Sequence, residues 1–334
     1  MNKLGIVILN WNGHKDTIEC INSIHENEDN NHTIYLFDNG SELESKAYIR
    51  ENLGKHKMNF CTISSKEFLQ FTEWKEQTHY FIEHDKNLGF ARGNNFVLRK
   101  IVSEHEYIML LNNDTIITKH ALSKMIHYMD QHKEIGFCSC NIKHFDSQKL
   151  WNAGGKLTWY GERKYISEKK IMSLQEQGIQ VIPCSFITGC AIVCRNTVLK
   201  EQGLLTEQFF FGEEDFNLCK RFKKHDIKGV SLLDVVIYHK VSSSINRVSQ
   251  NHFNLGKIAV HHINRTIDNR NFMKKPIWNL WYVIYLMLLF VKCFQWRIHF
   301  KDSLRLIKTI HSYTKNYNQV DEKTFHSILN TFKE

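Results

Sequence analysis

The chain has 334 residues, of which 42% are hydrophobic and 24% charged, and its formal net charge is +9. This length accommodates a large α/β domain with an extension, and the composition excludes both wholesale disorder and a multispan membrane protein. The nine cysteines are an odd number. Most of them stand in apolar runs, so we expect buried, reduced thiols. Cys138 and Cys140 form a CxC without a second pair at zinc-finger spacing, which argues against a zinc site.

The first part of the chain alternates apolar runs with helical patterns. Apolar runs predict strands at 4–9, 33–38, 80–84 and 107–111, with a further short strand at 60–63 inside an irregular stretch, 55–79. Helical spacing and capping residues predict helices at 16–24, 41–53, 91–102 and 119–132. This alternation is typical of βαβ units, so we predict an α/β fold with a mostly parallel central sheet flanked by helices.

After residue 136 the pattern changes to short strands and glycine turns. A hairpin or core strand is predicted at 184–195, a helix from about residue 213 and a strand at 234–240. From about residue 249 to the C-terminus the sequence predicts helices. No internal repeat or flexible linker separates these parts.

A polar cluster follows each of four predicted strands: NWNG (10–13), DNGS (38–41), HDKNLG (84–89) and NNDT (112–115). Because ligands of parallel sheets bind beyond the carboxyl ends of the strands, these clusters predict one binding cleft. Singly they are ambiguous. Asp114 is suited either to a divalent cation or to an Asx-turn, and Asp38 either to a nucleobase or ribose or to a turn.

The stretch NLGFARGNN (87–95) contains two glycines and paired amides but matches neither GxGxxG nor a Walker loop. This weighs against a dehydrogenase and against a P-loop NTPase. His239 follows a predicted strand, where a histidine is either packed or a ligand.

A run of aromatic and acidic residues, FFFGEEDFNLCKRF, occupies 209–222. A helix beginning near Glu213 would place Asp215, Leu218, Cys219 and Phe222 on one face. An acid on that face at a helix start is either a structural N-terminal acid or a positioned base.

The order of these motifs resembles that of family 2 glycosyltransferases with the GT-A fold. NWNG, DNGS, NLGFARGNN, LLNND, ITGCAIVCR, FFGEEDFNLCKR and YHKVSSS follow one another as in that family, over about residues 3–245. The chain is most similar to the rhamnosyltransferase-like branch that builds bacterial surface polysaccharides. The resemblance implies a GT-A catalytic domain over 1–245 and a basic, helical, membrane-associating region over 246–334.

The resemblance also implies roles for individual residues. Asp215, the acid of the family's ED pair, corresponds to the catalytic base of an inverting transfer, and Asp114 and His239 correspond to ligands of a divalent cation, Mn²⁺ or Mg²⁺. One further set corresponds to positions that bind the nucleotide-sugar: Trp11, Asn12, Asp38, Asn87, Gly89, Asn94, Asn95, Asn113 and Glu214. Asn217 departs from the family's EDxD pattern, which puts a second-acid role there in doubt.

The C-terminal region combines an apolar run with a cluster of cations. Residues 277–291 are interrupted only by Asn279, which is short of the roughly 20 residues that a spanning helix needs. Cations flank the run on both sides, so we expect an interfacial helix on an anionic surface within 276–308. The alternatives are a span that reaches Trp296, with Lys292 snorkelling, and a helix packed against protein.

The implied reaction transfers a sugar from a nucleotide-diphospho-sugar, such as dTDP-rhamnose or a UDP-sugar, to a saccharide acceptor carried on polyprenyl diphosphate. The expected setting is polysaccharide, O-antigen or capsule assembly. The N-terminus offers too short an apolar run for a signal peptide, so we expect a cytoplasmic protein, peripheral on the inner face of the plasma membrane.

Three alternative functions remain open. A catalytically silent, nucleotide-sugar-binding subunit is suggested by the amides Asn113 and Asn217, and a nucleotidyltransferase shares the nucleotide cleft and the metal. A nucleic-acid-binding protein is suggested by the basic tail, but the tail lacks base-stacking motifs, so we expect no nucleic-acid partner.

Overall fold

The computed structural model describes residues 2–29, 31–55, 59–75, 77–241 and 255–332. The boundary predicted at 245/246, and the serines of the YHKVSSS motif, lie outside the described residues. The strands are β1 (Leu4–Asn10), β2 (His32–Asn39), β3 (Phe60–Ser64), β4 (His79–His84), β5 (Tyr107–Asn112), β6 (Thr115–Ile117), β7 (Ile135–His144), β8 (Leu150–Asn152), β9 (Gly155–Leu157), β10 (Arg163–Tyr165), β11 (Val181–Cys184), β12 (Ala191–Arg195) and β13 (Lys228–His239).

Helices alternate with these strands and then dominate the C-terminal part. They are α1 (His14–Asn27), α2 (Leu43–Lys55), α3 (Ser65–Gln70), α4 (Phe90–Ile101), α5 (Ala121–Gln131), α6 (Glu168–Glu176), α7 (Asn196–Gln202), α8 (Glu214–Lys224), α9 (Leu255–Phe272), α10 (Lys275–Gln295), α11 (Phe300–Asn316) and α12 (Glu322–Asn330). Helix α3 lies in the stretch predicted to be irregular, where Ser64 and Glu67 form a capping box.

One large mixed sheet carries the fold. Within the described part of the chain its order is β11-β13-β7-β12-β5-β1-β2-β4-β3, with β6 and β8 added beside β13 and β7. The half from β5 to β3 is parallel throughout, whereas β12 is antiparallel to both of its neighbours. The mostly parallel sheet predicted from the alternating pattern is confirmed. Strand β7, ten residues long, begins at Ile135, and the short strands expected beyond it are present as β8, β9 and β10.

Apolar clusters cover both faces of the sheet, which explains why β1 reads as a continuous apolar run. The chain leaves β1 toward β2 on one side and later reaches β5 on the other side of β1. The strand order therefore reverses at β1, and such a point opens a crevice at the carboxyl ends of the strands.

Helices α9 to α12 enclose a separate apolar cluster, but the segment before α8 enters it. Phe209 is buried in that cluster, and the backbone N–H of Phe210 donates to the carbonyl of Val320 at 2.7 Å. The run of phenylalanines thus joins the C-terminal helices to the sheet domain. Only Phe211 of the three is exposed.

Among the described residues α10 is the helix whose length and apolar composition suffice to cross a membrane. One face of it, with Tyr282, Leu289 and Cys293, is buried against the C-terminal cluster. The opposite face is apolar and exposed over Ile277, Leu280, Val283, Ile284, Met287, Leu288, Val291 and Phe294.

Candidate functional site

The sheet register brings the four polar clusters to one edge. Asn10 at the end of β1 is opposite Asp38 in β2, and Leu9 is opposite Asn112 in β5. Strand β4 ends beside β2, with His84 opposite Asn39. The loops that follow β1, β2, β4 and β5 therefore share the crevice where the strand order reverses.

A buried network centred on Asp38 shapes the first two of these loops. Asp38 is fully buried and accepts hydrogen bonds from Asn10 Nδ2 at 2.7 Å and from the Ser41 backbone N–H at 2.9 Å, with Lys46 Nζ at 3.6 Å. Asp38 therefore makes the turn in this structure, and its role toward a nucleobase or ribose stays a prediction. Asn10 also accepts from Thr17 Oγ1 at 2.9 Å. Asn10 belongs to the NWNG motif, but the sequence pattern did not indicate that it would bridge Asp38 and Thr17.

Trp11 and Asn12 lie on the loop between β1 and α1. Asn12 has left-handed backbone geometry (φ 54°), and its side-chain oxygen accepts from the Glu42 backbone at 2.9 Å. The backbone N–H of Asn12 donates to Ser41 Oγ at 2.9 Å. These bonds leave Trp11 at the loop surface with 47% of the residue exposed. An exposed ring at the mouth of a crevice can cover a flat ligand.

Asn39, which sequence reasoning missed, organises the loop after β4. Its amide donates to Asn87 Oδ1 at 2.9 Å and its side-chain oxygen accepts from the Leu88 backbone at 2.9 Å. Gly89 follows in left-handed geometry (φ 83°), and a Cβ there would overlap the Phe210 carbonyl oxygen. Glycine is therefore required where this loop meets the segment before α8.

The paired amides that follow are turned into the protein. Asn94 is buried and donates to the Phe90 carbonyl within α4 at 2.9 Å. Asn95 is also buried, and its side chain bonds both backbone groups of Leu205 and the carboxylate of Glu207. In this structure both amides hold α4 and its neighbours.

Asp114 and His239 meet at the carboxyl end of β5. Strand β6 pairs with β13 so that Thr115 is opposite His239, and His239 Nε2 lies 3.0 Å from Asp114 Oδ1. The imidazole packs edge-on against Trp151, with ring centroids 4.4 Å apart. The amide of Asn113 points to Thr17 Oγ1 at 2.9 Å instead.

The donor set of this pair fits a divalent cation. His239 Nδ1 is buried without a protein partner, and the pair offers one carboxylate and one imidazole. No group of three or more candidate ligands occurs within the described ranges. Mn²⁺ and Mg²⁺ accept one or two protein ligands when phosphate oxygens and water complete the shell. The pair would therefore bind a metal ion only when a phosphate-bearing ligand supplies further oxygens.

The acidic segment is held by buried ion pairs. Glu213 precedes α8 in left-handed geometry (φ 80°) and pairs with Arg163, while Lys220 Nζ lies 3.8 Å away. Lys220 in turn contacts Asp268 of α9 at 2.5 Å. Burial alone would raise the pKa of Glu213, but the two cations outweigh it and lower that pKa to about 2. Glu213 is therefore a structural carboxylate.

Glu214 and Asp215 have different surroundings although they are adjacent. Asp215 accepts backbone hydrogen bonds from Gly189 at 3.1 Å and Phe216 at 2.8 Å, whereas Glu214 Oε2 has no protein partner. Burial and the neighbouring Asp215 charge raise the pKa of Glu214 to about 8, and burial also raises the pKa of Asp215. Because the Arg163 cation favours an ionised Asp215, while one oxygen of Glu214 is left without a partner, we assign the charge to Asp215 and the proton to Glu214.

A short chain of contacts links Asp215 to the Asp114 side of the crevice. The Gly189 N–H bonds Asp215, and the carbonyl of the next residue, Cys190, accepts from Asn112 N–H at 2.8 Å. Asn112 is the last residue of β5, two positions before Asp114. The site thus joins one ionised carboxylate to a carboxylate–imidazole pair at the same sheet edge.

Asn217 faces away from the crevice. Its amide donates to Asp268 Oδ1 at 2.6 Å, and its side-chain oxygen accepts from Arg221 Nε at 3.1 Å. An acid at this position would face Asp268 directly. The departure from EDxD is therefore explained by packing against α9, and it does not remove a group from the site.

The C-terminal helices also border the site. A cavity of about 310 Å³ lies between the loop after β4 and the start of α12, lined by Lys86, Asn87, Leu88, Arg92, Glu207, Phe210, Asp321 and Glu322. It adjoins the site and does not contain Asp114 or Asp215. One of its walls comes from the region predicted to be a separate extension.

Comparisons with known proteins agree with this geometry. The sequence model of glycosyl transferase family 2 matches residues 5–202. No curated protein sequence matches the chain significantly.

Three solved structures share the fold at low sequence identity. GalNAc-T7, solved with UDP, GalNAc and Mn²⁺, matches with a TM-score of 0.59 at 12% identity over 98% of this chain, which spans only 56% of that protein. The mannosyltransferase PcManGT from Pyrobaculum calidifontis, with GDP-Man and Mn²⁺, gives 0.55 at 12% identity, covering 98% and 85% of the two chains. S. aureus TarS 1–349 gives 0.54 at 11%, covering 98% and 90%.

The assignment of the proton to Glu214 predicts a pH-dependent stability. A carboxyl whose folded pKa is about 8 instead of 4.5 takes up a proton on folding, so the wild type should lose stability as the pH rises from 4.5 to 8. Glu214→Gln should remove this loss. The difference in the free energy of unfolding between the variant and the wild type should therefore be at least about 1 kcal/mol more in favour of the variant at pH 8 than at pH 5. Urea unfolding at both pH values measures it.

The control is Glu201→Gln, the same change on an exposed residue of α7. It should follow the wild type at both pH values. If Glu214→Gln also follows the wild type, Glu214 is ionised in the folded protein and the assignment is wrong.

Proposed function

This chain belongs to glycosyl transferase family 2 and has the GT-A fold, and we propose that it transfers a sugar from a nucleotide-diphospho-sugar to an acceptor hydroxyl with inversion at the anomeric carbon. One observation carries this proposal: Asp215 and the Asp114–His239 pair lie at the same sheet edge. They are linked through Gly189, Cys190 and Asn112. An inverting transfer needs one base on the acceptor side and charge stabilisation on the leaving-group side.

In this proposal Asp215 is the general base. Its carboxylate takes the proton of the acceptor hydroxyl as that oxygen bonds to the anomeric carbon, and the bond from that carbon to the diphosphate oxygen breaks. The raised pKa of Asp215, caused by burial, brings its basicity closer to neutral pH, where a base is most effective. Glu214, kept neutral, can donate a hydrogen bond to a sugar hydroxyl without adding a second negative charge.

Asp114 and His239 are proposed to hold a divalent cation, Mn²⁺ or Mg²⁺. When bound, the cation would offset the negative charge that develops on the departing nucleoside diphosphate. Support comes from the carboxylate–imidazole donor set and from the Mn²⁺ in the GalNAc-T7 and PcManGT structures.

The loops around the crevice are proposed to bind the rest of the donor. Trp11 would cover the nucleobase, and the Asp38 network would fix the loop that borders it. The proposed set keeps the remaining positions implied by the motifs, which are Asn12, Asp38, Asn87, Gly89, Asn94, Asn95 and Asn113. For Asn94 and Asn95 the support is indirect, since their amides hold α4 behind the loop.

We further propose a dTDP-sugar such as dTDP-rhamnose, or a UDP-sugar, as donor and a polyprenyl-diphosphate-linked saccharide as acceptor, in surface-polysaccharide assembly at the inner face of the plasma membrane. Helix α10 supports the membrane part. One of its faces is packed on the protein while the other is apolar and exposed, which suits a helix lying in the interface plane.

Cations are frequent in the sequence around α10 and favour anionic headgroups. Between residues 270 and 308 the chain carries eight cations against one acid, Asp302: Arg270, Lys274, Lys275, Lys292, Arg297, Lys301, Arg305 and Lys308. Each cation near an anionic surface contributes about 1 kcal/mol to membrane attraction.

The reaction is tested with a panel of dTDP-, UDP- and GDP-sugars in the presence of Mn²⁺ or Mg²⁺, with and without membrane extract as acceptor source. Release of nucleoside diphosphate from one donor is expected, and it should stop on chelation. Asp215→Asn should lower the rate roughly 10²–10⁴-fold, because positioned general-base catalysis contributes that much.

The matched control is Asp226→Asn, an exposed residue just beyond the far end of α8. It should keep the wild-type rate. Release of diphosphate instead of a nucleoside diphosphate would indicate a nucleotidyltransferase. Nucleotide binding without release under any of these conditions would favour a catalytically silent subunit.

Membrane association is tested by vesicle flotation. The wild type should float with phosphatidylglycerol vesicles and less with neutral phosphatidylcholine vesicles. Leu280→Glu combined with Met287→Glu, at residues 66% and 64% exposed, should weaken binding more than tenfold, since each removes about 1.5–3 kcal/mol of apolar burial. Leu43→Glu on α2 is the exposed apolar control. Equal flotation of the double variant and the wild type would refute the proposed surface.

A further inference from the structure

A row of three aromatic rings leads from the protein surface to the segment that carries Asp215. Tyr165 ends the hairpin strand β10, and its ring meets Phe186 edge-on at 5.2 Å between centroids. Phe186 stacks on Phe216 at 4.6 Å, and the backbone N–H of Phe216 bonds Asp215 Oδ1. Phe186 is fully buried, whereas 56% of Tyr165 is exposed.

The β9–β10 hairpin is fixed relative to Asp215 from two directions. Gly155 in β9 bonds the backbone of Phe186 through both its N–H and its carbonyl. Arg163, two residues before Tyr165, pairs with Glu213 and places its guanidinium 3.1 Å from the centroid of the Phe216 ring. The strand that carries Tyr165 is therefore fixed relative to the acidic segment.

Electrostatics agrees with this proximity. Burial raises the pKa of the Tyr165 phenol, and the negative charge of Asp215 adds to that rise. An isolated exposed tyrosine needs no explanation. Here, however, the exposed ring is backed by the buried Phe186 and the partly buried Phe216, and the backbone N–H of Phe216 bonds the Asp215 carboxylate.

The chemistry of such a surface suits a sugar ring. A pyranose presents C–H groups with partial positive charge on one face, which pack against the negative face of an aromatic ring, while its hydroxyls point outward. Tyrosine loses little conformational entropy when it forms such a contact.

The position of the hairpin favours the acceptor over the donor. The loops proposed to bind the donor follow β1, β2, β4 and β5, whereas β9 and β10 form a separate two-stranded sheet. Tyr165 approaches the Asp215 segment from that second sheet. A base that removes a proton from the acceptor must face the acceptor side of the site.

We infer that Tyr165 is the stacking platform on which the terminal sugar ring of the acceptor packs, so that one of its hydroxyls faces Asp215. This inference rests on the proposed function in so far as Asp215 is the base. Arg163 acts through the hairpin as a positioning residue, since it holds Tyr165 and Glu213 together.

The test uses methyl glycosides of common hexoses and deoxyhexoses, because they carry a single sugar ring of fixed anomeric configuration and no second ring that could pack on Tyr165. Saturation-transfer NMR with the full-length protein should show contact to the sugar C–H protons of at least one glycoside. Tyr165→Ala should weaken that binding roughly tenfold or more, whereas Tyr165→Phe, which keeps the ring, should retain it. In transfer assays Tyr165→Ala should raise the acceptor KM and leave the donor KM unchanged.

The matched control is Trp159→Ala, which removes a 77%-exposed aromatic from the turn of the same hairpin. It should bind glycosides as the wild type does, and thermal unfolding verifies that all three variants are folded. Unchanged glycoside binding in Tyr165→Ala, or no glycoside binding by the wild type, would overturn the inference. Failure of the proposed function is seen separately, as the absence of nucleoside diphosphate release by the wild type.

Discussion

The left-handed backbone of Glu213 is the constraint on which the site depends. A non-glycine residue at φ 80° costs on the order of 1–3 kcal/mol and persists only where its surroundings hold it. Here two buried cations and two buried acids neutralise one another, with Arg163 on Glu213 and Lys220 between Glu213 and Asp268. Removing one partner of such a pair typically costs about 3–5 kcal/mol, because the other charge is left unpaired. The turn then directs Asp215 to the Gly189 N–H.

This arrangement makes three distant parts of the chain meet at one short segment. The hairpin reaches it through Arg163, the C-terminal helices through Asp268, and the sheet edge through the strand that follows Gly189. Phe209 and Val320 add a backbone contact a few residues earlier. The C-terminal helices therefore support the acidic segment as well as presenting the exposed face of α10.

Sequence reasoning found what local patterns encode and missed what distant contacts decide. The parallel strands and their polar ends follow from apolar runs and turn residues, so the crevice could be predicted. The buried network around Asp38 could not be predicted, because its partner Asn10 lies on another strand. Asn39 stood within a quoted motif, yet its role depends on a loop about 50 residues away. Asn217 becomes intelligible only beside Asp268.

In the proposed function, this sheet edge holds a metal–diphosphate complex on the Asp114 side and an acceptor on the Asp215 side. The most direct measurement is anomalous diffraction from crystals grown with Mn²⁺ and dTDP or UDP. The account predicts a manganese peak in contact with the Asp114 carboxylate and the His239 imidazole, with the diphosphate completing its shell. A nucleotide bound in the crevice with manganese elsewhere, or with no manganese at that pair, would contradict it.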